Sequence, residues 1–432
     1  MLFLPSQAAA ETEATIVKWH VGEGDSFSKG QILAEVESAK STFEFEAPCD
    51  GKIITLLVAQ SATTPFEQPV LEVETTDQSF KQDIPSAAAP MHESPTLDIS
   101  SVAKKSDGAV KKQICLLGIG SYLPERIVKN TELLVEHPDI DEEYIFGVTG
   151  IRQRHWAKPE EKPSDMALVA SKQAIENSGL KPEDIDAIIV STATPDVVMP
   201  STACILQEKL GLRGVPSFDL NAACSGWVYA ITVAKGLIMA GVADNVLVTG
   251  VEMQSRLLDK KDRNTWFLFG DGAGSTVISG SKEGHLIKNE IISADPAGIK
   301  MARREFPGYE VPQNSSDFDP WLRLDGKALF RFATGSFATM IRELIVKSGW
   351  KPEEVRWVVP HQANGRILKA AAQKSGVAFE RFYLNIDKVG NTSSASVPLA
   401  LAEIERGLQK KDKIIFCTVG AGITVAGVSI EW

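Results

Sequence analysis

Three short segments of the chain carry polar side chains of the kinds that perform acyl-transfer chemistry. Cys224 lies in the segment NAACSG, His361 follows the apolar run RWVVP, and Asn391 lies in the small-residue loop GNTSSASVP. Each segment marks a boundary between a strand-like and a helix-like pattern. Because α/β proteins gather functional groups at such strand ends, we expect the three side chains to lie close together.

Cys224 has the sequence context of a nucleophile. Small residues surround it, and the Ala- and Leu-rich stretch that follows predicts that the cysteine lies at a helix N-terminus. The positive end of the helix dipole favours thiolate over thiol and is expected to lower the pKa of Cys224. A reachable thiolate suits attack on a thioester.

The other cysteines have no such context. The chain has five cysteines, and none forms a C-x-x-C pair or adjoins a histidine cluster, so we expect neither a metal site nor a disulfide framework. We interpret Cys115, Cys204 and Cys417 as small buried hydrophobic residues.

Strand-like and helical patterns alternate after residue 113. The strand-like runs lie at residues 114–117, 187–190, 245–248, 357–359 and 414–417. This alternation predicts an α/β fold with largely parallel sheets. The order of the elements suggests two repeated halves, residues 113–283 and 284–432.

The N-terminal part of the chain has a different pattern. Residues 1–77 contain short alternating segments separated by turn sequences such as GEGD and CDG, which predict an all-β unit. Residues 78–112 are rich in Pro, Ala and Ser and lack an apolar period. We interpret them as a flexible linker between the two parts.

Composition excludes several classes of function. A chain of 432 residues with 44% hydrophobic residues can bury large cores. The net charge of −11 argues against a general surface for nucleic acid or for an anionic membrane. No apolar stretch has the length of a signal peptide or of a membrane span, so we expect a cytoplasmic protein.

The three segments, together with GIRQRH, FGDGAG and GAGIT, resemble the β-ketoacyl-acyl-carrier-protein synthase III family over about residues 113–432. The resemblance implies a homodimer and a thiolase-type α/β fold, with two pseudo-repeated halves in the layers α/β/α/β/α. It implies that Cys224 accepts an acyl group while backbone N–H groups of Cys224 and Ala421 bind the oxyanion. His361 and Asn391 would donate hydrogen bonds to the enolate that forms when a malonyl-type thioester loses carbon dioxide.

The resemblance extends to a site for coenzyme A or phosphopantetheine, with one departure. Tyr144, Arg263 and Asn364 match positions that bind these groups in the family. Val148 stands where the family has an arginine that helps to clamp adenine, which puts coenzyme A as the acyl donor in doubt. Met199 matches an acyl-pocket residue that reaches across the dimer, and its flexible thioether favours a wider or more adaptable pocket.

Positive charges follow the histidine segment on an otherwise acidic chain. Arg366, Lys369 and Lys374 lie on the predicted helix after Asn364. A basic patch beside the mouth of the active site would suit docking of an acidic acyl carrier protein.

Lys40 is the candidate attachment site of the N-terminal unit. It lies in ESAKST between two strand-like runs, and the surrounding sequence resembles the lipoyl domains of 2-oxo acid dehydrogenase acyltransferase components. The resemblance implies covalent lipoate on Lys40, with a lipoate ligase and a dehydrogenase component as partners. Biotin carriers share the fold but usually place methionines beside the lysine, whereas Ala39 and Ser41 stand here. Lipoate is favoured, and biotin or an unmodified docking unit are the alternatives.

Together these features predict an acyltransferase that condenses an acyl group on Cys224 with a malonyl-type thioester, with loss of carbon dioxide. The fused carrier and Val148 lead to a further hypothesis, in which a lipoyl arm on Lys40 primes Cys224 at high effective concentration. Two alternatives stay open. One is acyl transfer to an oxygen, nitrogen or sulfur acceptor, and the other is a docking role in a 2-oxo acid dehydrogenase complex.

Overall fold

The computed structural model describes residues 1–4, 13–38, 42–66, 68–76, 113–305, 308, 310 and 313–432. The chain divides into two compact units, Met1–Leu97 and Asp98–Trp432. The predicted linker at residues 78–112 lies outside the described residues, so its flexibility stays a prediction.

The N-terminal unit contains two four-stranded antiparallel sheets, which confirms the predicted all-β pattern. Its strands are β1 (Leu2–Phe3), β2 (Glu13–Trp19), β3 (Ser26–Phe27), β4 (Ile32–Ser38), β5 (Thr42–Glu46), β6 (Gly51–Leu56), β7 (Thr63–Pro65) and β8 (Pro69–Glu74). One sheet has the order β1-β8-β6-β3 and the other has the order β5-β4-β2-β7. Buried side chains from both sheets, among them Leu2, Ile16, Phe45 and Leu71, form one core.

Strands β4 and β5 precede and follow Lys40. They pair antiparallel with Glu37 opposite Thr42, and both of these residues are exposed. A carrier lysine between two exposed strand ends would hold a lipoyl or biotinyl group in reach of other sites. The described neighbours therefore fit the predicted group, although Lys40 itself lies outside the described residues.

The second unit contains the remaining strands and all the α-helices of the described residues. Its strands are β9 (Cys115–Tyr122), β10 (Arg126–Lys129), β11 (Gln153–Trp156), β12 (Ala187–Ser191), β13 (Ser217–Leu220), β14 (Asn245–Met253), β15 (Asp271–Ser279), β16 (His285–Ala294), β17 (Ala302–Arg303), β18 (Arg323–Leu324), β19 (Val355–Pro360), β20 (Lys413–Gly420) and β21 (Thr424–Glu431). Its helices are α1 (Asn130–Leu133), α2 (Glu142–Thr149), α3 (Pro163–Asn177), α4 (Thr202–Lys209), α5 (Gly226–Met239), α6 (Gly326–Lys347), α7 (Gly365–Ser375), α8 (Ile386–Val389) and α9 (Ser396–Ile404). Each predicted strand-like run coincides with one of these strands.

The main sheet reveals an internal repeat. Nine strands pair in the order β13-β12-β14-β15-β9-β16-β21-β20-β19. Outward from the centre, the series β9-β15-β14-β12 and the series β16-β21-β20-β19 both pair antiparallel, antiparallel and then parallel. The repeated halves that the order of elements suggested are therefore present in the topology.

The prediction of largely parallel sheets is wrong. Among the named strands of the described ranges, parallel pairing occurs between β12 and β13, β12 and β14, and β19 and β20, and the other pairs are antiparallel. No α-helix lies between β14 and β15 or between β20 and β21. A parallel return needs a long crossover, so these consecutive strands pair antiparallel.

Helices separate and cover the two halves of the sheet. Helices α5 and α9 lie between the halves, because Trp227, Ile231 and Leu401 share one core with Val248 of the first half and Phe416 of the second. Helix α3 packs on the outer face of the first half, and α6 and α7 pack on the outer face of the second. This is the α/β/α/β/α order that the resemblance implied. The two halves of the sheet enclose the ends of α5 and α9.

The cysteine predictions are confirmed in part. Cys115 and Cys417 are buried, but Cys204 is exposed. Helix α4 turns Ala203 and Leu206 into the core, which leaves Cys204 on the outer side.

The described ranges lack two kinds of feature, membrane-spanning helices and clusters of metal-ligating side chains. No helix there is long and apolar enough to cross a membrane. Within the same ranges, no group of three His, Cys, Asp or Glu side chains is arranged to hold a metal ion.

Candidate active site

Cys224 lies in a short turn at the start of α5. The chain leaves β13, forms the 3₁₀ turn Ala223–Ser225 and enters the helix. Ala223 has a positive φ of 48°, and the Asn221 side chain accepts a hydrogen bond from its N–H at 3.1 Å. The turn therefore brings Cys224 to the N-terminal end of a buried helix, as the sequence predicted.

The surroundings of the Cys224 thiol oppose its ionisation. Burial raises the pKa of Cys224 to about 12, and the charge of the Glu252 carboxylate acts in the same direction. The expected lowering of this pKa is therefore wrong for the resting thiol, because burial removes the hydration that a thiolate needs. Such a thiol must give its proton to a base before it attacks a thioester.

His361 follows β19 and is enclosed by protein. Burial lowers the pKa of His361 to about 3, so the imidazole is neutral. Its Nδ1 lies 2.7 Å from Ser396 Oγ, and that hydroxyl also lies 2.8 Å from Ser393 O. A hydroxyl has one proton to donate. Ser393 O can only accept, so in this geometry Ser396 donates to that carbonyl and accepts from His361 Nδ1–H. Rotation of the Ser396 hydroxyl towards Nδ1 would place the ring proton on Nε2, where it can be donated to a ligand.

Asn391 precedes a second 3₁₀ turn, Ser393–Ala395, which leads into α9. Its Oδ1 accepts a hydrogen bond from the Ser393 N–H at 2.9 Å, and its backbone N–H donates to Leu268 O at 2.8 Å. The side-chain Nδ2 lies 3.4 Å from Ala363 O, which is a long contact. The amide is therefore oriented with its Nδ2 as the end that can donate to a ligand.

The turn between β20 and β21 approaches the Cys224 backbone closely. A Cβ at Gly420 would lie 2.9 Å from Cys224 N and 2.9 Å from Ala222 O, so glycine keeps this space open. Thr424 fastens the turn, because its hydroxyl donates to Ala222 O at 2.9 Å. Ala421 follows Gly420, and the oxyanion role of its N–H stays a prediction.

One cavity of about 510 Å³ collects these groups. Cys224, His361, Asn391 and Ala421 all line it. This volume lies within the range of small-molecule sites. Side chains from three separate strand ends are therefore brought together, as expected from the sequence.

A second, outer cavity of about 1010 Å³ adjoins the first. The two cavities share the lining residues Asn264, Arg303, Leu324 and Gly326. The basic residues of the outer cavity are Lys300, Arg303, Arg323, Lys327 and Arg366. Glu305, Asp319 and Asp325 line the same cavity, and Arg303 and Arg323 form ion pairs with carboxylates. The remaining positive charge is that of Lys300, Lys327 and Arg366, which would attract an anionic group of a substrate.

Two residues predicted to bind coenzyme A line different cavities. Tyr144 is 55% exposed and lines the outer cavity, whereas Arg263 lines the inner one. The Arg263 guanidinium is already engaged, since Nε donates to His137 Nδ1 at 3.2 Å and Nη2 pairs with Asp139. Binding of a nucleotide by Arg263 would have to compete with this ion pair.

Asn364 caps helix α7 and uses both ends of its amide. Its Oδ1 accepts from the Arg366 N–H at 2.8 Å, and its Nδ2 donates to Val148 O at 3.0 Å. Val148, which stands in place of the family's arginine, lines the inner cavity. The amide keeps a second N–H and a second oxygen lone pair, which a ligand could use. A role of Asn364 in binding phosphopantetheine stays a prediction.

The remaining predicted residues lie outside the inner cavity. Arg366, Lys369 and Lys374 are exposed on α7. Met199 is 85% exposed and lines neither cavity. Their roles in carrier docking and in the acyl pocket stay predictions.

Sequence reasoning missed Glu252, Ser393 and Ser396. Glu252 lies near the end of β14, whose residues are all buried. A charged residue at the end of an apolar run is unusual enough to have been a signal. The two serines lie in the quoted loop GNTSSASVP, where nothing in the sequence distinguishes them from their neighbours.

Family comparisons match both units. The family model of 3-oxoacyl-[acyl-carrier-protein] synthase III matches residues 218–296, and the model of its C-terminal part matches residues 345–432. A biotin/lipoyl model, described as "Biotin-requiring enzyme", matches residues 2–73.

Individual relatives cover the second unit. The β-ketoacyl-[acyl-carrier-protein] synthase III of Caldanaerobacter subterraneus subsp. tengcongensis is 41% identical over 322 residues, which are 73% of this chain and 97% of the relative. The enzyme of the same name from Clostridium botulinum strain 657 is 38% identical over 323 residues, which are 74% of this chain and 98% of the relative.

Solved structures agree with these relatives. The 3-oxoacyl-[acyl-carrier-protein] synthase III of Aquifex aeolicus VF5 has a TM-score of 0.68 and 38% identity, covering 74% of this chain and all of that one. The priming β-ketosynthase of the R1128 polyketide pathway has a TM-score of 0.70 and 32% identity, covering 76% and 98%. The chain therefore belongs to the β-ketoacyl-[acyl-carrier-protein] synthase III family of acyltransferases and carries, in addition, an N-terminal biotin/lipoyl-type domain.

Proposed function

We propose that the protein catalyses a decarboxylative Claisen condensation between an acyl group on Cys224 and a malonyl-type thioester. The observation that carries the proposal is the convergence of Cys224, His361 and Asn391 on one cavity. A thiol nucleophile beside two hydrogen-bond donors is what this reaction requires. Membership of the synthase III family supports the same reaction.

In the first half-reaction, the Cys224 sulfur attacks the carbonyl carbon of an acyl thioester. The C–S bond of the donor breaks, its thiolate leaves and takes a proton, and the acyl group stays on Cys224. Negative charge develops on the carbonyl oxygen, for which the backbone N–H groups of Cys224 and Ala421 are the proposed donors. The absence of a Cβ at Gly420 leaves room for this oxygen beside Cys224 N.

In the second half-reaction, the malonyl-type thioester loses carbon dioxide and becomes an enolate. His361 Nε2–H and Asn391 Nδ2–H donate hydrogen bonds to the enolate oxygen. Because burial lowers the pKa of His361 to about 3, the neutral ring donates a hydrogen bond without transferring its proton. The carbanion then attacks the acyl carbon, and the Cys224 thiolate leaves.

Product analysis tests this proposal against its alternatives. The purified chain is supplied with malonyl-acyl carrier protein and a short acyl thioester, and we expect one carbon dioxide released for each carbon–carbon bond formed. Without the malonyl substrate, intact mass should show an acyl adduct on Cys224. An adduct without carbon dioxide would instead support transfer to an oxygen, nitrogen or sulfur acceptor. Absence of both would support a docking role.

We further propose that the N-terminal domain delivers the acyl group. The biotin/lipoyl match and the pairing of β4 with β5 on either side of Lys40 support a modified lysine. A lipoyl group on Lys40 would present acyl groups as thioesters on a long arm. Val148 favours such a donor, because the family's adenine-clamping arginine is missing. A donor on the same chain also raises the effective concentration at Cys224.

Transfer of a label tests the delivery. The lipoylated full chain is acylated chemically on its arm, and the label should move to Cys224 in the wild type. The Lys40→Arg variant should lack this transfer while still reacting with acyl-coenzyme A. The proposal fails if acetyl-coenzyme A acylates Cys224 readily and the acylated arm does not. The mass of the purified chain decides whether Lys40 carries lipoate, biotin or neither group.

The extender is proposed to arrive on an acidic acyl carrier protein, with the enzyme acting as a homodimer. Exposed Arg366, Lys369 and Lys374 on α7 suit such a carrier. A Lys369→Glu variant, at a position that lines neither cavity, should raise KM for the carrier-bound extender and leave KM for malonyl-coenzyme A unchanged. An equal change for both extenders would contradict docking at this surface.

A further inference from the structure

Glu252 is a buried carboxylate that no step above uses. Its side chain is 0% exposed. Each described group that hydrogen-bonds its carboxylate is a donor. These donors are Ala193 N at 3.2 Å, Thr194 Oγ1 at 3.0 Å, Gln254 Nε2 at 3.0 Å, Ser393 Oγ at 3.2 Å and Ser394 Oγ at 2.9 Å. An ionised carboxylate only accepts hydrogen bonds, so this set of partners fits the ionised form.

The surroundings of Glu252 contain one other ionisable partner among the described residues. The turn Ser393–Ala395 contributes the hydroxyl groups of Ser393 and Ser394. The turn at the start of α5 contributes Cys224, whose ionisation is opposed by the negative charge of Glu252. Asp271 on the neighbouring strand β15 directs its carboxylate to Ser255 instead. Within the described ranges, no lysine, arginine or histidine forms an ion pair with Glu252.

Ser393 connects the thiol to this carboxylate. Its Oγ lies 3.4 Å from Cys224 Sγ and 3.2 Å from Glu252 Oε1. The hydroxyl has one proton, and the ionised carboxylate can only accept it. The Ser393 hydroxyl is placed to donate to either Cys224 Sγ or Glu252 Oε1. When it donates to the ionised carboxylate, its oxygen presents a lone pair to the sulfur, which gives the order S–H, O–H, carboxylate.

Electrostatics makes separate ionisation of the two groups unfavourable. Burial raises the pKa of Cys224 to about 12, and burial raises the pKa of Glu252 to about 7. Two negative charges in this enclosed space would repel each other and lose hydration. If the thiol proton moves to Glu252, the site keeps a single negative charge, now on sulfur. The pair would then titrate as a unit.

We propose that Ser393 relays the proton of the Cys224 thiol to Glu252, so that Cys224 becomes a nucleophile as Glu252 becomes neutral. The S–H bond breaks while Ser393 Oγ takes that proton and passes its own to Glu252 Oε1. The thiolate then attacks the acyl carbon. Ser393 is a catalytic residue because it touches the sulfur, and Glu252 is a positioning residue that acts through it.

The proton balance closes over the whole cycle. The thiolate released by the acyl donor takes a proton from water in the outer cavity. When condensation later frees the Cys224 thiolate, the proton stored on Glu252 returns through Ser393. The net proton consumed with each carbon dioxide released comes from water.

This inference rests on the proposed acylation of Cys224, so the first test avoids the condensation. Iodoacetamide alkylates a thiolate, with loss of iodide, whatever reaction the enzyme performs. The alkylation rate of Cys224 is followed against pH by peptide mass mapping, which separates it from exposed Cys204. Single-turnover acylation by acetyl-coenzyme A is measured on the same proteins.

Three variants of the full chain are compared. Ser393→Gly removes the relay hydroxyl and tolerates the positive φ of 49° at this residue. Glu252→Gln removes the proton acceptor. The matched control is Ser394→Ala. It removes a hydroxyl 2.9 Å from the same carboxylate oxygen, and in the described structure this hydroxyl makes no hydrogen bond to the sulfur. Thermal melting checks that each variant is folded.

The expected results distinguish a relay from a simple charge. In the wild type the alkylation rate should rise with pH through the neutral range as Glu252 ionises. At neutral pH, Ser393→Gly and Glu252→Gln should both slow alkylation and acylation by about 100-fold and lose this rise. Ser394→Ala keeps the relay, so the rise should persist and move to higher pH, because the Ser394 hydrogen bond lowers the pKa of Glu252.

Three results would overturn the relay. If Glu252 only repels a thiolate, Glu252→Gln will lower the pKa of Cys224 and speed alkylation. Unchanged alkylation in folded Ser393→Gly would exclude the hydroxyl, and an equal loss in Ser394→Ala would reduce the effect to local packing. A normal relay without carbon dioxide release would leave this inference intact and refute only the proposed condensation.

Discussion

The two turns that enter α5 and α9 share one backbone design and carry different chemistry. Each begins at an asparagine, Asn221 or Asn391, whose Oδ1 accepts a hydrogen bond from the N–H two residues later. That later residue has a positive φ in both turns, 48° at Ala223 and 49° at Ser393. The repeat of the sheet therefore extends to the turns that hold the active site.

The side chains at matching positions differ in what they reach. Cys224 lines the inner cavity, whereas Ser394, its counterpart, is 1% exposed, and its hydroxyl lies within hydrogen-bond distance of Ser191 O and Glu252 Oε1. Ala223 has no polar group, whereas Ser393 contacts the sulfur. The comparison suggests that duplication provided the backbone twice, and that substitution gave one turn the nucleophile and the other the groups around it.

The largest effect should come from removing the nucleophile of the first turn. Cys224→Ala should abolish the acyl adduct and all condensation, while malonyl thioester still loses carbon dioxide because His361 and Asn391 remain. Intact mass and carbon dioxide release measure the two activities separately. Adding Ser394→Cys to this variant should restore nothing, since that site is buried. An acyl adduct on the new cysteine would show that the turns are interchangeable.

The second turn should control decarboxylation. Asn391→Ala removes a donor to the enolate oxygen and should slow carbon dioxide release by about 100-fold, with much less effect on acylation of Cys224. Stopped-flow decarboxylation and single-turnover acylation provide the measurements. Asn221→Ala is the matched control. It breaks the corresponding hydrogen bond in the turn before α5 and leaves the Asn391 Nδ2–H donor in place. Equal decarboxylation losses in both variants would point to turn geometry instead.

Ser396 should have a smaller effect through the tautomer of His361. Ser396→Ala removes the hydroxyl 2.7 Å from Nδ1, which is the group that can turn its proton to Nδ1 and hold the ring proton on Nε2. We expect a loss of about tenfold in carbon dioxide release, smaller than the loss of roughly 100-fold or more when such a group is removed. Nitrogen NMR of labelled histidine reports the tautomer, and an unchanged tautomer with normal release would contradict this role.

The smallest effect should appear in the free energy of unfolding. It tests the charge of Glu252, which interacts with residues of both turns. Burial raises the pKa of Glu252 from 4.5 to about 7, so the folded protein holds this proton more tightly than the unfolded chain. Wild-type stability should therefore fall as pH rises through this window, on the order of 3 kcal/mol relative to Glu252→Gln. Melting of both proteins against pH measures the difference, and a constant difference would indicate a normal pKa.

Local sequence patterns determined much of this protein. The strand-like runs, the all-β N-terminal unit and the position of Cys224 before a helix depend on side-chain periodicity and small residues over short stretches. Such patterns act between neighbours in the chain, so they can be read without knowledge of the packing. The segments around Cys224, His361 and Asn391 were also specific enough to indicate the family.

Other properties depended on residues far apart in sequence. Glu252 approaches Ser393 across 141 residues, and Cys224 contacts the same serine across 169. Burial and the nearby carboxylate raise the pKa of Cys224, which reverses the direction that the helix N-terminus alone suggested. The antiparallel pairs of the sheet likewise follow from which strands meet. Only tertiary packing decides these features, because dehydration and charge coupling depend on distance in space rather than on order in the chain.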